Sequence, residues 1–149
     1  MNIKPSLHAR AVKYLASREY SRLELEKKLV EHAQTPEVLS EVLDVLEQRG
    51  FLSAERLVEQ VVHSRRKKYG SQRIRQELKE KGIAEHLIDA AMADLKETEL
   101  NAAREIWQKK FGVLPENLKA RSKQACFLAG RGFSSEIIRQ VLTGSEDDI

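Results

Sequence analysis

The sequence predicts an all-α fold of three tandem three-helix repeats, about nine helices in an elongated, curved array. Three observations carry this reading. The first is composition: Leu, Glu, Lys, Arg, Ala and Gln dominate, all strong helix formers, while aromatics are 5% and glycine and proline supply only seven and three of 149 residues. The second is a marker leucine that recurs at Leu29, Leu78 and Leu128, 49 and then 50 residues apart. The third is the pattern that follows each marker. Nine residues on, apolar pairs begin: Val38-Leu39, Val42-Leu43 and Leu46; Leu87-Ile88, Ala91-Met92 and Leu95; Ile137-Ile138 and Val141-Leu142. That spacing lays one broad apolar stripe along a helix.

The elements follow in order. The first helix of each repeat carries Ala11, Tyr14 and Leu15; Leu57, Val58, Val61 and Val62; or Ile106, Trp107 and Phe111, with Trp107 and Phe111 read as core. Glu19-Tyr20-Ser21, Lys68-Tyr69-Gly70-Ser71 and Gly112-Val113-Leu114-Pro115 are the breaks after it. The middle helix holds Leu25 and Leu29, then Ile74 and Leu78; its third copy, about 116–130, begins early. Lys81-Gly82-Ile83 and Arg131-Gly132-Phe133 end the second and third copies, with glycine where a helix closes in the left-handed conformation. The first copy has Ala33 instead. Thr35 before Pro36, and Ser134, are N-caps of the last helices. The repeats are expected at about 7–52, 53–97 and 98–144, with an acidic tail at 145–149. Ser145 stands where the other copies have Leu46 and Leu95, so a weak last helix and a mobile C-terminus are expected. Stacked neighbours are expected to complete one another's cores.

Net charge is +3 with a sequence pI near 9.0, which favours an anionic partner without requiring one. Charge alternates with the repeat. Residues 61–81 hold eight basic and two acidic side chains, and 104–131 hold seven and two; 31–60 hold seven acidic and two basic, and 85–105 six and two. Basic middle helices and acidic third helices would form two stripes. The sharpest feature is Arg65, Arg66, Lys67 and Lys68, continued past a turn by Arg73 and Arg75, eleven residues without an acid. As a solvated helix end it would only complement the dipole; as a surface it would meet phosphate or an acidic protein face, the reading preferred here. Lys109, Lys110, Arg121, Lys123 and Arg131 are additional candidates. Tyr69 beside the run either stacks on a base or packs the turn, with packing favoured.

No catalytic constellation is found. His8, His32, His63 and His86 fall on separate segments without metal-ligand spacing, and no Gly-rich phosphate loop is present, so no cofactor, metal or enzymatic activity is expected. Cys126 lies in an apolar stretch and reads as a buried structural thiol; a single cysteine permits no internal disulfide. No run is long enough to span a membrane and the N-terminus shows no leader, so the cytoplasm is the expected location.

The sequence resembles the RecX regulatory proteins of bacteria. The resemblance rests on Tyr14-Leu15-Ala16-Ser17-Arg18-Glu19-Tyr20-Ser21 with Glu24-Leu25 and Leu29; on Leu46-Glu47-Gln48-Arg49-Gly50-Phe51-Leu52; on Tyr69-Gly70 with Arg73-Ile74, Leu78 and Lys81-Gly82-Ile83; and on Phe127-Leu128 with Arg131-Gly132-Phe133. It spans nearly the whole chain in order. It implies a non-enzymatic modulator of the RecA recombinase. Such a protein binds RecA–DNA filaments and inhibits filament extension, ATP hydrolysis, strand exchange and coprotease activity. The implied partners are the RecA filament and single-stranded DNA, with duplex DNA as a further target, and the chain is expected to act as a monomer. The competing reading is a stand-alone helical DNA-binding protein. Against it, no unit stands out as the reader of a sequence and no dimerisation helix is evident.

Overall fold

The computed structural model describes residues 4–143. Among them stand nine α-helices and no strand. Helices α1 (Leu7–Ser17), α2 (Arg22–Leu29) and α3 (Pro36–Gln48) pack on one another; so do α4 (Ala54–Arg65), α5 (Ser71–Glu80) and α6 (Glu85–Lys96), and then α7 (Glu99–Lys110), α8 (Leu118–Gly130) and α9 (Ser135–Leu142). The acidic tail and the position of Ser145 lie outside the described residues.

Local chemistry sets the helix ends. Ser6, Thr35, Ser53, Asn117 and Ser134 each accept a hydrogen bond from a first-turn N–H of the helix that follows. Ser21 and Glu24 cap α2 reciprocally, the serine side chain accepting from the Glu24 N–H and the carboxylate from the Ser21 N–H. Gly82 and Gly132 close α5 and α8 at φ +76° and +94°. The next residue then donates its N–H back to the marker leucine: Ile83 to the Leu78 carbonyl at 3.1 Å, Phe133 to Leu128 at 3.2 Å. In the first unit, where Ala33 replaces the glycine, α2 instead tightens into a turn of 3₁₀ helix, Val30–His32, and Ala33 leaves it at φ −93°.

Leu29, Leu78 and Leu128 are completely buried. Each lies in its own cluster. One gathers Ala11, Leu25, Leu29, Leu43 and Leu46; the next Leu57, Ile74, Leu78 and Ile88; the third Ala103, Leu128, Phe133 and Ile138. The expectation that neighbouring units complete one another's cores therefore does not hold: each cluster is drawn from one set of three helices. Apolar residues from all three helices line each one, with Ala11 and Ala103 as the buried contributions of α1 and α7.

The middle helices of neighbouring units meet end to end. The C-terminus of α8 abuts the N-terminus of α5: the Gly70 N–H donates to the Arg131 carbonyl at 2.8 Å and the Gln72 N–H to the Gly132 carbonyl at 3.1 Å. Between them, the Ser71 N–H donates to the buried Glu99 carboxylate at 3.2 Å. Gly70 is an N-cap with no side chain, so an acid from α7 caps α5 across the junction, where the helix dipole favours it. At the other junction Gly82 rests on Leu23 of α2. There the polar links are ionic: Lys81 to Glu24 at 3.1 Å and Arg56 to Glu19 at 2.9 Å.

Candidate nucleic-acid and partner interface

The eleven-residue basic segment falls on the end of α4, the turn after it and the first half of α5. Its cations have different surroundings. Arg65 pairs with Glu77 at 2.9 Å, and that carboxylate raises the guanidinium pKa further above its ordinary value. Arg66 donates to the Thr98 hydroxyl at 2.6 Å. Lys67 and Lys68 are exposed in the turn. Arg73 and Arg75 do not share a face, because two helical residues differ by about 200° around the axis. Arg73 turns to the α8 end, donating to the Gly130 carbonyl at 3.3 Å. Arg75 turns to α6 and pairs with Glu85 at 2.5 Å and Asp89 at 3.5 Å.

The same neutralisation occurs in the first unit. Arg22 of α2 reaches Asp44 and Glu47 of α3, each at 2.7 Å. Burial lowers its pKa, but these two carboxylates outweigh that and raise it overall. Basic middle helices thus spend part of their charge on the acidic third helices beside them, at α2–α3 and at α5–α6.

What remains at the junction of the second and third units is an alternation of cations and rings. The Arg73 guanidinium lies 4.2 Å from the centre of the Tyr69 ring, and Arg131 lies 5.5 Å from Tyr69 and 5.3 Å from Phe127. Lys110 follows, 5.4 Å from Phe127. Arg131 also donates to the Lys68 carbonyl at 3.1 Å, which ties α8 to the basic turn. Of the additional candidates, Arg131 and Lys110 therefore join the run. Lys109 and Lys123 are exposed, Arg121 half-buried, and none of the three contacts it in the described residues. Tyr69 packs, as expected, against the second cluster, and it carries arginine on its exposed part.

Phe127 is the member of this row that sequence reasoning misses. Its signal is its spacing: four residues before Arg131, it shares the face of α8 from which that arginine leaves. Trp107 and Phe111 are half-buried rather than enclosed; Trp107 packs on the third cluster, and Phe111 meets Phe127 edge to face at 5.5 Å. Cys126 is a correction: its side chain is exposed. Gln124 and Leu128, each two residues away, occupy the buried side of α8, which leaves position 126 facing outward.

No helix among the described residues is long and apolar enough to cross a membrane, and no three His, Cys, Asp or Glu side chains are grouped to hold a metal ion.

Residues 55–92 match the family described as RecX, second three-helix domain, and residues 97–142 that described as RecX, third three-helix domain. A regulatory protein RecX of Leptothrix cholodnii is 49% identical over 137 residues, covering 92% of this chain and 87% of the relative. One of Ralstonia pickettii is 40% identical over 142 residues, covering 95% and 89%. The crystal structure of RecX from Lactobacillus salivarius superposes with a TM-score of 0.81 at 19% identity, covering 96% of both chains, and supports the fold. Helix order and these matches agree: the chain belongs to the RecX family of regulatory proteins.

Proposed function

We propose that this chain binds RecA–DNA filaments and inhibits their extension, ATP hydrolysis, strand exchange and coprotease activity, acting as a cytoplasmic monomer without catalytic residues or cofactor. The three units, taken as 7–52, 53–97 and 98–144, would lie along the filament. The observation that carries the reading is the alternation Arg73, Tyr69, Arg131, Phe127, Lys110, flanked by Lys67 and Lys68. Cations spaced by rings suit a single strand, whose phosphates attract the charges and whose bases stack on flat groups. RecA regulation rests on the family resemblance, and the relatives' name, regulatory protein RecX, supports a regulatory rather than enzymatic role.

The test is RecA ATPase activity on single-stranded DNA with substoichiometric amounts of this chain. Hydrolysis is expected to fall at ratios well below one chain per RecA. Unchanged hydrolysis, together with tight binding to bare DNA, would favour a stand-alone DNA-binding protein and sink the filament reading.

A further inference from the structure

We propose that the loop between α7 and α8 is a protein-docking knob, which seats in an acidic-rimmed apolar pocket on the recombinase rather than on DNA; this rests on the filament reading above. Val113, Leu114 and Leu118 are 65%, 43% and 83% exposed, half of the large apolar side chains found exposed among the described residues. They fall within six consecutive positions, and a cluster of this kind marks a contact surface better than scattered apolar residues do.

The loop is held in a fixed shape from beneath. Gly112 turns out of α7 at φ +71°. Gln124, buried on α8, accepts from the Trp107 indole N–H at 2.8 Å and donates to the Val113 carbonyl at 3.1 Å. Asn117 then caps α8 by accepting from the Ala120 N–H at 2.8 Å, which sets Leu118 at the first helical position. A buried amide serving a loop whose side chains point into solvent is preorganisation. Fixing the loop beforehand reduces the entropy lost when a partner closes over it.

In sequence the apolar tip is flanked by Lys109, Lys119 and Lys123, all exposed, and Glu116 is the single acid between positions 109 and 123. None of these three lysines is ion-paired in the described residues. An apolar centre within a charged rim is the anatomy of a protein contact, and the rim's sign asks for an acidic partner. Nucleic acid fits less well, because aliphatic side chains offer no flat face for a base. A lipid surface would not need the fixed geometry that Gln124 supplies.

The experiment compares the full chain with the double substitution Leu114→Ser, Leu118→Ser. Binding is measured to RecA-coated single-stranded DNA, to the same DNA bare, and to phosphatidylglycerol vesicles. Filament affinity is expected to fall about tenfold or more, as when a central anchor is removed, while affinity for bare DNA stays within about twofold. The melting temperature should not change, and neither protein should bind vesicles. Lys119→Glu, Lys123→Glu supplies an independent variant that leaves the apolar tip intact, and it should weaken filament binding most at low salt. Equal filament binding by parent and double variant would overturn the proposal. So would an equal loss on bare DNA, or vesicle binding that the double substitution abolishes. A parent that binds bare DNA but not the filament would instead sink the filament reading, and the partner named here with it.

Discussion

A methyl group at Gly70 would sit 2.4 Å from the carbonyl oxygen of Gly132, sixty-two residues away. No side chain fits there, because the two backbones are already hydrogen-bonded across the junction. Gly70→Ala is therefore expected to destabilise the protein by about 1–3 kcal/mol, the cost of overpacking. Gly132→Ala should cost more, since it adds the strain of φ +94° to a contact 2.4 Å from the Arg73 Cβ. Chemical denaturation of both variants checks the order.

The junction between the first and second units should respond to pH. Burial acts to raise the Glu24 pKa, but the Ser21 N–H, Lys81 and Arg18 together outweigh it and hold the carboxyl below its ordinary value. A carboxyl depressed in the folded state adds stability above its unfolded pKa, and that contribution is lost as pH falls through the folded value. Glu24→Gln should flatten the acid side of the stability profile, near and below about pH 4. Replacing Lys81 with Met should have a smaller effect of the same sign, because Ser21 and Arg18 remain. Thermal melts from pH 7 to pH 3 provide the measurement.

The cations of the basic segment should separate into two groups. Lys67→Glu with Lys68→Glu is expected to weaken binding to single-stranded DNA and to reduce the salt slope by roughly 0.7 for each phosphate that is no longer neutralised. Arg75→Ala should leave DNA binding nearly unchanged, because that guanidinium is engaged by Glu85 and Asp89. A salt titration of binding by each variant decides the matter. Loss of binding with Arg75→Ala alone would place the DNA on the α5–α6 face.

Truncating Leu78 to Ala should cost about 2–5 kcal/mol, the usual range for a buried leucine. Leu29→Ala and Leu128→Ala should fall in the same range, as all three are fully enclosed. Urea unfolding measures this, and a loss under about 1 kcal/mol at Leu78 would contradict the shared role of the three positions.

These leucines show what a sequence can carry. The helices, the Thr35 and Ser134 caps and the positions of Leu29, Leu78 and Leu128 follow from spacing within some thirty neighbouring residues. The glycines at 82 and 132 are legible as helix closures for the same reason. Their second use is not, since it depends on which distant backbone arrives: Gly132 on Arg73, Gly82 on Leu23. Glu99 likewise reads as an ordinary helix-start acid and caps a helix in another unit. For the basic segment, proximity in sequence obscures direction. Arg73 and Arg75 look like one patch until α5 turns them apart, and Cys126 looks buried until α8 turns it outward.

The contrast between the two junctions also has a mechanical meaning. Two backbone hydrogen bonds and a buried carboxylate hold the third unit to the second, whereas partly exposed ion pairs and one leucine contact hold the second unit to the first. Under tension along the row of helices, the ion-paired joint is the weaker coupling, and salt softens it further. The second and third units are then expected to move as one stiff lever, with the first unit as a compliant arm.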